Sequence, residues 1–408
     1  MTLIRRRRVY FIEGYEPQGA DGFYRMFRRE WDRFRATWHV RGDLSRCSLD
    51  SDDIASWTID TVGPNWRVST QYEFLRLENF IRANLAQPFW QQLARTARWM
   101  IDDILSGALL RVFRVSWRMG ILLIYSQVLL LVWIGLSLTG GWLAADAIIP
   151  AGEPEVSKLI LATALVTACF ALLRPVTNGM FVNQLNNCWP FLREFARGER
   201  TGFDRSLDIL AGRIVASARA GDADEILLIG HSAGAMLALT AMAKALERDP
   251  DVGRHGTPIS LVTVGSIMPA LAMHPAAGAL RRTVATIATE RSVLWTDCQS
   301  REDFMNFWEF DPVTGTGTEA GERRCNPQIW QVPVRKMIAP EVFARVRFNY
   351  WRMHYQYIMS NDRRAAYDYY MFLCGPAPFA DWAAQDGSAI ESFDADGNYH
   401  VSSVKAAE

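Results

Sequence analysis

Two stretches near the middle of the chain are apolar on every side. The first, MGILLIYSQVLLLVWIGLSLTGGWL over residues 119–143, contains no charged residue. At about 1.5 Å of rise per residue, a helix of this length crosses a hydrocarbon core of about 30 Å. The second, LILATALVTACFALL over residues 159–173, is shorter and lies between Lys158 and Arg174. We expect transmembrane helices over about 119–140 and 157–174, although the shorter segment is also compatible with a core helix.

The charges beside these segments predict their orientation. Three arginines precede the first segment and Arg174 follows the second, whereas the connection holds three carboxylates and Lys158. These flanking residues are Arg111, Arg114, Arg118, Asp146, Glu153 and Glu155. Positively charged flanks stay on the cytoplasmic side. We therefore predict an integral membrane protein, in the inner membrane if the cell is bacterial, with both termini and the soluble part in the cytoplasm.

Hydrophobic periodicity in the rest of the chain alternates between strands and helices. This alternation predicts an α/β fold in which helices flank a mostly parallel sheet. Predicted strands cover 8–17, 54–62, 225–229, 259–266 and 292–297, predicted helices cover 21–38, 203–220 and 233–247, and the chain from about 71 also has a helical pattern.

Neither side of the apolar pair holds enough strands for a sheet of ordinary size. We therefore expect one α/β domain, formed by residues 1–100 and 196–375 and interrupted by a membrane-associated insertion over 101–195. The remaining residues, 376–408, are rich in Gly, Ala, Asp and Ser, so we expect a mobile C-terminal tail.

Charge and cysteine content exclude several classes of protein. The formal net charge is +0, from 44 basic and 44 acidic residues, so no nucleic-acid partner is expected. The basic run RRRR at 5–8 either belongs to a solvated face or is attracted to an anionic membrane surface. The six cysteines lack metal-site spacing and are expected to be free thiols. The N-terminal residues do not have the pattern of a secretory signal. No nucleotide-binding motif and no HExxH motif is present, so we expect no cofactor and no metal.

The segment EILLIGHSAGAMLALTAMAKAL over 225–246 carries the strongest chemical signal. Its GHSAG sequence fits G-x-S-x-G, follows directly on a hydrophobic strand and opens a helix. This is the setting of a nucleophile elbow, in which a serine sits on a sharp strand-to-helix turn. We therefore predict that Ser232 is a nucleophile. The alternative is a turn of small residues with a purely structural role.

On these residues the chain resembles the α/β-hydrolase superfamily, and within it the lipase-like and esterase-like members. The resemblance implies an oxyanion hole made of two backbone N–H groups, one of them from Ala233. The second would come from Tyr15 after Gly14, although Glu13 stands where many members have a histidine. The alternative for Gly14 is an ordinary glycine turn.

The resemblance also implies the chain order serine, acid, histidine. Of the histidines, His39 precedes Ser232, His231 lies inside the elbow, and His255 and His274 precede the best acid candidates. Since His400 lies in the expected tail, His354 in FNYWRMHYQYIMSND is the predicted base. Its alternative is a histidine packed within an aromatic helix.

Three aspartates follow the strand that would precede the acid. Asp303 in REDFMNF is the preferred acid, Asp297 is the second choice because it lies nearer the strand end, and Asp311 in FDPV is interpreted as a turn former.

Together these residues predict a membrane-anchored serine hydrolase of the lipase or esterase kind. We expect it to cleave acyl or lipid esters through Ser232, His354 and Asp303 beside the lipid bilayer. The alternative is a catalytically inactive hydrolase fold that serves as a membrane scaffold or binding protein. The sequence leaves the oligomeric state open.

Overall fold

The chain divides into two compact units in the structure. The computed structural model describes residues 3–150, 152–199, 202–385 and 387–400. One unit comprises Met1–Ala83 with Glu194–Glu408, and the other comprises Asn84–Arg193. In chain order the described α-helices are α1 Gly19–Trp38, α2 Glu78–Leu85, α3 Phe89–Leu105, α4 Ala108–Val115, α5 Trp117–Ile148, α6 Glu155–Gly179, α7 Val182–Ala196, α8 Phe203–Ala220, α9 Gly234–Arg248, α10 Met268–Ala272, α11 Gly278–Thr289, α12 Val334–Met337, α13 Pro340–Val346, α14 Tyr350–Tyr355, α15 Tyr369–Cys374, α16 Phe379–Ala383 and α17 Ser388–Glu391.

The strands of the first unit form a single mixed sheet. Those that the structure describes are β1 Arg6–Ile12, β2 Arg41–Leu44, β3 Ser48–Leu49, β4 Ile54–Val62, β5 Arg67–Leu75, β6 Glu225–His231, β7 Ile259–Val264, β8 Val293–Gln299 and β9 Gln328–Gln331. Their order is β2-β4-β5-β1-β6-β7-β8-β9, with β3 beside β4. Neighbours from β5 to β9 are parallel, and the pairs that involve β4 are antiparallel. The expected α/β class with a mostly parallel sheet is confirmed.

The two faces of the sheet pack against different helices. Val9 and Phe11 of β1 belong to a large buried cluster that includes the aromatic face of α1. That face repeats at helical spacing, and its Phe23 ring stacks on Phe11 with centroids 4.5 Å apart. The alternate residue Tyr10 donates its hydroxyl to the carbonyl oxygen of Arg213 on α8 at 3.1 Å. Side chains of one strand therefore reach helices on both faces, as expected for a parallel sheet.

The start of one predicted helical stretch is a strand. Residues from about 71 were expected to be helical, and Glu78–Leu85 and Phe89–Leu105 are, but Arg67–Leu75 forms β5 and pairs with β4 as an antiparallel hairpin. Its first side chains follow period two, since Val68, Thr70 and Tyr72 are buried while Ser69 and Gln71 between them are partly exposed. Pairing with β4 and β1 satisfies both edges of this strand.

The basic run near the N-terminus is part of β1. Arg7 is buried and its Nε donates to Glu225 Oε2 at 2.8 Å. Its two terminal nitrogens donate to the carbonyl oxygens of Gly375 and Ala377 at 2.8 and 2.9 Å. For Arg7, therefore, neither a solvated face nor a membrane-facing charge describes the structure, because its partners are all protein groups.

Much of the C-terminal segment 376–408, which was expected to be a mobile tail, folds against the sheet unit. Between 376 and 400 the structure describes helices α16 and α17, with Phe379 and Trp382 buried. The Phe379 N–H donates to the carboxylate of Glu225 at 2.7 Å. Aromatic burial and this anchor explain why a composition rich in small residues still packs. The rest of the predicted tail, 401–408, lies outside the described residues.

The second unit begins earlier than the expected insertion. Helix α3 belongs to it because Trp99 stacks on Trp189 of α7, with ring centroids 6.3 Å apart. A buried ion pair between Asp103 and Arg193 joins the same two helices. Helices α5 and α6 of this unit are long and apolar enough, by length and composition, to cross a membrane.

Candidate active site

The carboxyl ends of four parallel strands bring distant segments of the chain together. Ile12 of β1 pairs with Gly230 of β6, and His231 pairs with Val264 of β7. Val264 in turn pairs with Cys298 of β8. The chain leaves β1 toward one side of the sheet and returns through β6 on the other side, so β1 and β6 form a topological switch point. Ligand sites of open α/β sheets lie at this edge and at such a point.

Ser232 has the strained backbone expected of a nucleophile elbow. Its φ is 57°, in the left-handed region that residues with a side chain rarely adopt. The Ser232 N–H donates to the carbonyl oxygen of Val264 at 3.0 Å, which fixes the turn to β7. Ser232 is partly exposed, while Ala233 beside it is buried. The serine is thus held in one conformation and remains accessible.

The two glycines of the motif have no room for a side chain. A β-carbon on Gly234 would lie 2.1 Å from the carbonyl oxygen of Ile12 at the end of β1. A β-carbon on Gly230 would lie 2.6 Å from the carbonyl oxygen of Gly234. Gly230 therefore permits the sharp turn itself, and Gly234 permits the close approach between α9 and β1.

The turn after β1 lies against the serine. A β-carbon on Gly14 would be 3.1 Å from Cβ and 3.4 Å from Oγ of Ser232, and 3.5 Å from the nitrogen of Ala233. The structure thus brings the Gly14–Tyr15 turn to the two residues with which it was expected to act. Burial raises the pKa of Glu13 well above its ordinary value, and the charges of Glu16 and Glu78 raise it further.

His354 and Asp303 form a buried pair. His354 lies on α14 and its Nδ1 is 2.8 Å from Asp303 Oδ2, with both side chains almost completely buried. The other carboxylate oxygen of Asp303 accepts the N–H of Met305 at 2.8 Å. Phe304 beside it packs on Tyr350 of α14, with ring centroids 4.7 Å apart. The loop after β8 therefore presents its aspartate to the imidazole in a fixed position.

The serine and the histidine are brought to the same strand end without a direct bond. A β-carbon on Gly265, directly after β7, would lie 3.0 Å from Cε1 and 3.2 Å from Nδ1 of His354. Val264, the preceding residue, holds the N–H of Ser232. Nε2 of His354 is buried and has no hydrogen-bond partner among the described residues. A serine–histidine hydrogen bond is therefore absent from this part of the structure.

The second-choice acid occupies a different environment. Asp297 lies within β8, where its carboxylate accepts the Thr263 hydroxyl at 2.5 Å and the Gln299 amide at 2.9 Å. Burial raises the pKa of Asp297 to about 6, which the bonds from Thr263 and Gln299 partly offset. Asp311 forms a two-point ion pair with Arg324 and accepts the N–H of Val313. Neither carboxylate is bonded to His354 within the described residues.

His231 has a contact that the sequence did not reveal. Its Nε2 lies 3.1 Å from the carbonyl oxygen of His354, and the two imidazole centroids are 4.7 Å apart. A carbonyl oxygen only accepts, so Nε2 of His231 carries the proton. Burial lowers the pKa of His231 well below its ordinary value, and the charge of His354 lowers it further. His231 is therefore a neutral donor that holds the backbone of His354. Its place at the end of a buried strand, next to the serine, was the available signal.

A second contact ties α14 to the turn after β1. The hydroxyl of Tyr355 donates to Glu16 Oε2 at 3.3 Å, and its ring packs edge-on against His231 with centroids 5.1 Å apart. The helix that carries His354 thus contacts side chains from both the turn after β1 and the end of β6. No three metal-binding side chains cluster among the described residues of this site.

The arrangement places a strained serine, backbone N–H groups and a histidine–carboxylate pair at one edge of the sheet. Such a combination can activate a hydroxyl, orient a general base and hold a developing oxyanion. Comparisons of the chain with protein-family profiles, with curated proteins and with solved structures find no match.

Proposed function

We propose that this chain is a membrane-anchored serine hydrolase with the α/β-hydrolase fold, which cleaves carboxylic esters of acyl or lipid substrates. The observation that carries the proposal is Ser232 itself, a serine with φ of 57° on a glycine-flanked turn between β6 and α9. A protein tolerates such backbone strain where surrounding structure imposes it, and such strain clusters at functional sites. The buried His354–Asp303 pair at the same sheet edge supplies the remaining chemistry.

The proposed reaction has two halves, formation of an acyl-enzyme on Ser232 and its hydrolysis by water, and the same groups act in both. Nε2 of His354 takes the hydroxyl proton as Ser232 Oγ attacks the acyl carbonyl, while Asp303 stabilises the imidazolium. The N–H groups of Ala233 and Tyr15 hold the oxyanion, and one such donor is worth roughly 3 kcal/mol in measured cases. The imidazolium then returns the proton to the departing alkoxide, which leaves as an alcohol. In the second half His354 takes a proton from water, whose oxygen attacks the acyl-enzyme; the acyl group leaves as a carboxylic acid and the imidazolium returns the proton to Ser232 Oγ.

Membrane anchoring is supported by exposed apolar side chains on α5 and α6. Ile160 and Leu172 of α6 are exposed to 67% and 77%, and Leu131 and Leu136 of α5 to 68% and 63%. Apolar patches of this kind mark surfaces that contact a membrane or a partner. We place the spans in the cytoplasmic membrane with the catalytic unit on the cytoplasmic side, as the flanking arginines predict. A lipid ester beside the bilayer is the substrate class that fits this placement.

One observation favours a non-catalytic alternative. Since Nε2 of His354 has no partner among the described residues, the serine is not engaged by its proposed base. A scaffold with a hydrolase-like fold would show the same geometry. Catalytic hydrogen bonds are often long or poorly aligned without substrate and tighten in the complex, so we retain the enzyme as the first proposal.

A fluorophosphonate probe separates the two proposals, because it reacts covalently with an activated serine. We expect the full chain in detergent to be labelled, Ser232→Ala to lose labelling, and Ser217→Ala, a serine on α8, to keep it. Absence of labelling in a protein with a cooperative thermal transition would favour the scaffold. Labelling that persists in Ser232→Ala would place the nucleophile elsewhere.

A further inference from the structure

A cavity of about 600 Å³ lies inside the second unit, apart from the site described above. Residues of five helices line it, and α3 and α6 each contribute four residues at helical spacing. Phe89, Gln92, Leu93 and Thr96 recur on one face of α3, and Thr167, Phe170, Ala171 and Arg174 recur on one face of α6. The volume falls within the range of about 300–1,000 Å³ that is typical of small-ligand sites.

One side of the cavity is a wall of aromatic and aliphatic groups. Trp133 of α5 stacks on Phe170 with ring centroids 3.9 Å apart, and Phe89 packs edge-on against Phe170 at 5.5 Å. Leu130 and Leu93 extend this wall. Water gains few hydrogen bonds beside such groups, so the space suits a hydrocarbon chain better than solvent. Phe89 is 47% exposed, which leaves the wall open at the start of α3.

The other side is polar and held in place by hydrogen bonds. The Gln92 amide donates to the carbonyl oxygens of Leu85 and Gln87 at 3.0 and 2.6 Å. The Thr96 hydroxyl donates to the carbonyl oxygen of Asn186 on α7 at 2.9 Å. These bonds fix the amide of Gln92 and the backbone of α7 at Asn186 before any ligand arrives, which lowers the cost of binding.

Arg174 gives the cavity its charge. It is the one ionisable side chain among the described residues that line the space, so the lining is net positive. Guanidinium groups recognise phosphate and carboxylate through charge-assisted hydrogen bonds. A cation one helical turn from Phe170 and its aromatic wall complement an anionic head group attached to an acyl chain.

We propose that this cavity binds an anionic lipid, with its acyl chain along Trp133 and Phe170 and its negative group at Arg174. This site is independent of the proposed hydrolysis, because its lining residues all belong to the second unit. It therefore survives whether or not Ser232 is catalytic.

The test uses the full chain in a non-ionic detergent, with binding measured by native mass spectrometry and by the shift of the thermal midpoint. The probes are dioleoyl phosphatidylglycerol, dioleoyl phosphatidylcholine and oleate. We expect the phosphatidylglycerol to bind about tenfold more tightly than the phosphatidylcholine, which corresponds to one charge-assisted contact. Oleate that competes equally would identify a free fatty acid as the ligand, and oleate that does not compete would identify a phospholipid.

Two variants decide the location. Ala171→Trp fills the cavity and should abolish binding, whereas Ala164→Trp, an exposed position two turns earlier on α6 and outside the cavity, should not. Arg174→Gln should remove the preference for phosphatidylglycerol while the acyl chain still binds. Equal binding of both phospholipids to the wild type, or unchanged binding by Ala171→Trp, would overturn the proposal. Should Ala171→Trp fail to fold, a preference that persists in Arg174→Gln would overturn it.

Discussion

Replacing Asp303 with asparagine tests the proposed catalytic pair at a residue whose two carboxylate oxygens both accept hydrogen bonds. Both carboxylate oxygens are acceptors, one for the N–H of Met305 and one for Nδ1 of His354, each at 2.8 Å. An amide offers one acceptor and one donor, so asparagine cannot serve both partners. Turning its nitrogen toward Met305 would oppose two donors at hydrogen-bond distance. The amide nitrogen will therefore face His354.

That orientation selects the wrong form of the imidazole. Nδ1 must then accept, and the ring proton moves to Nε2, where it prevents the histidine from taking the proton of Ser232. A tautomer trapped in this way lowers turnover by about 10⁴-fold in a serine-protease triad, or about 5 kcal/mol of activation free energy. We expect a loss of this order in the rate constant for fluorophosphonate labelling of Asp303→Asn.

Asp297→Asn is the matched control, since Asp297 is as buried as Asp303 and also lies between Ser232 and His354 in the chain. Its partners tolerate an amide, because the Thr263 hydroxyl can accept as well as donate and Gln299 still finds an acceptor. We expect labelling within about threefold of wild type. Comparable losses in both variants, or labelling of a folded Asp303→Asn at the wild-type rate, would refute the assignment of the acid.

Three further changes follow from the same geometry. Burial holds the pKa of Asp297 at about 6, against 3.8 for the free group, so the wild type should lose up to about 3 kcal/mol of stability between about pH 4 and pH 7 as this carboxyl ionises. Asp297→Asn should lack that loss. Thermal midpoints of the wild type and the variant, measured across this pH range, test this, and an equal decline in both proteins would contradict it. Gly234→Ala places a methyl group 2.1 Å from the carbonyl oxygen of Ile12, so we expect about 1–3 kcal/mol of destabilisation and slower labelling. Gly278→Ala, whose β-carbon would meet only an arginine terminus at 3.5 Å, should leave both measurements near wild type. His231→Leu removes the donor to His354 and should slow labelling about tenfold, while His231→Gln, which can still donate, should restore most of the rate. Equal rates for the leucine and glutamine variants would show that His231 only fills space.

The local pattern of hydrophobic residues was sufficient to predict those helices and strands whose own sequence determines their conformation. Helix α1 shows its aromatic face at helical spacing, and β6 with α9 shows a buried strand that leads into a glycine-flanked turn. Strand β5 was missed because Tyr72 and Leu75 are also three residues apart, a spacing that fits one face of a helix. Its identity depends on pairing with β4 and β1, and β1 is about sixty residues away.

The site was predictable as a set of candidates and not as a geometry. Ser232 follows from a local motif, whereas the choice between Asp303 and Asp297 depends on a contact with His354 that is 51 residues distant. Asp297 lies within β8 and Asp303 follows that strand by four residues, so their distance along the chain from β8 does not decide between them. The position of His231 beside the serine marked it as a candidate, but its partner could not be anticipated, since that partner is a backbone carbonyl on another element.

The parallel pairing of β1 with β6 has a consequence for biosynthesis. Arg7 and Glu225 form a buried ion pair across 218 positions of sequence, and the segment between them contains α5 and α6. At about 5–20 residues per second, a ribosome takes roughly 10–40 s to deliver the partner of the first strand. The nascent first strand must stay unpaired on this side while both apolar helices emerge. Both apolar helices are therefore synthesised before the sheet can close between β1 and β6, and a chain released before its last hundred residues lacks His354 of the candidate site.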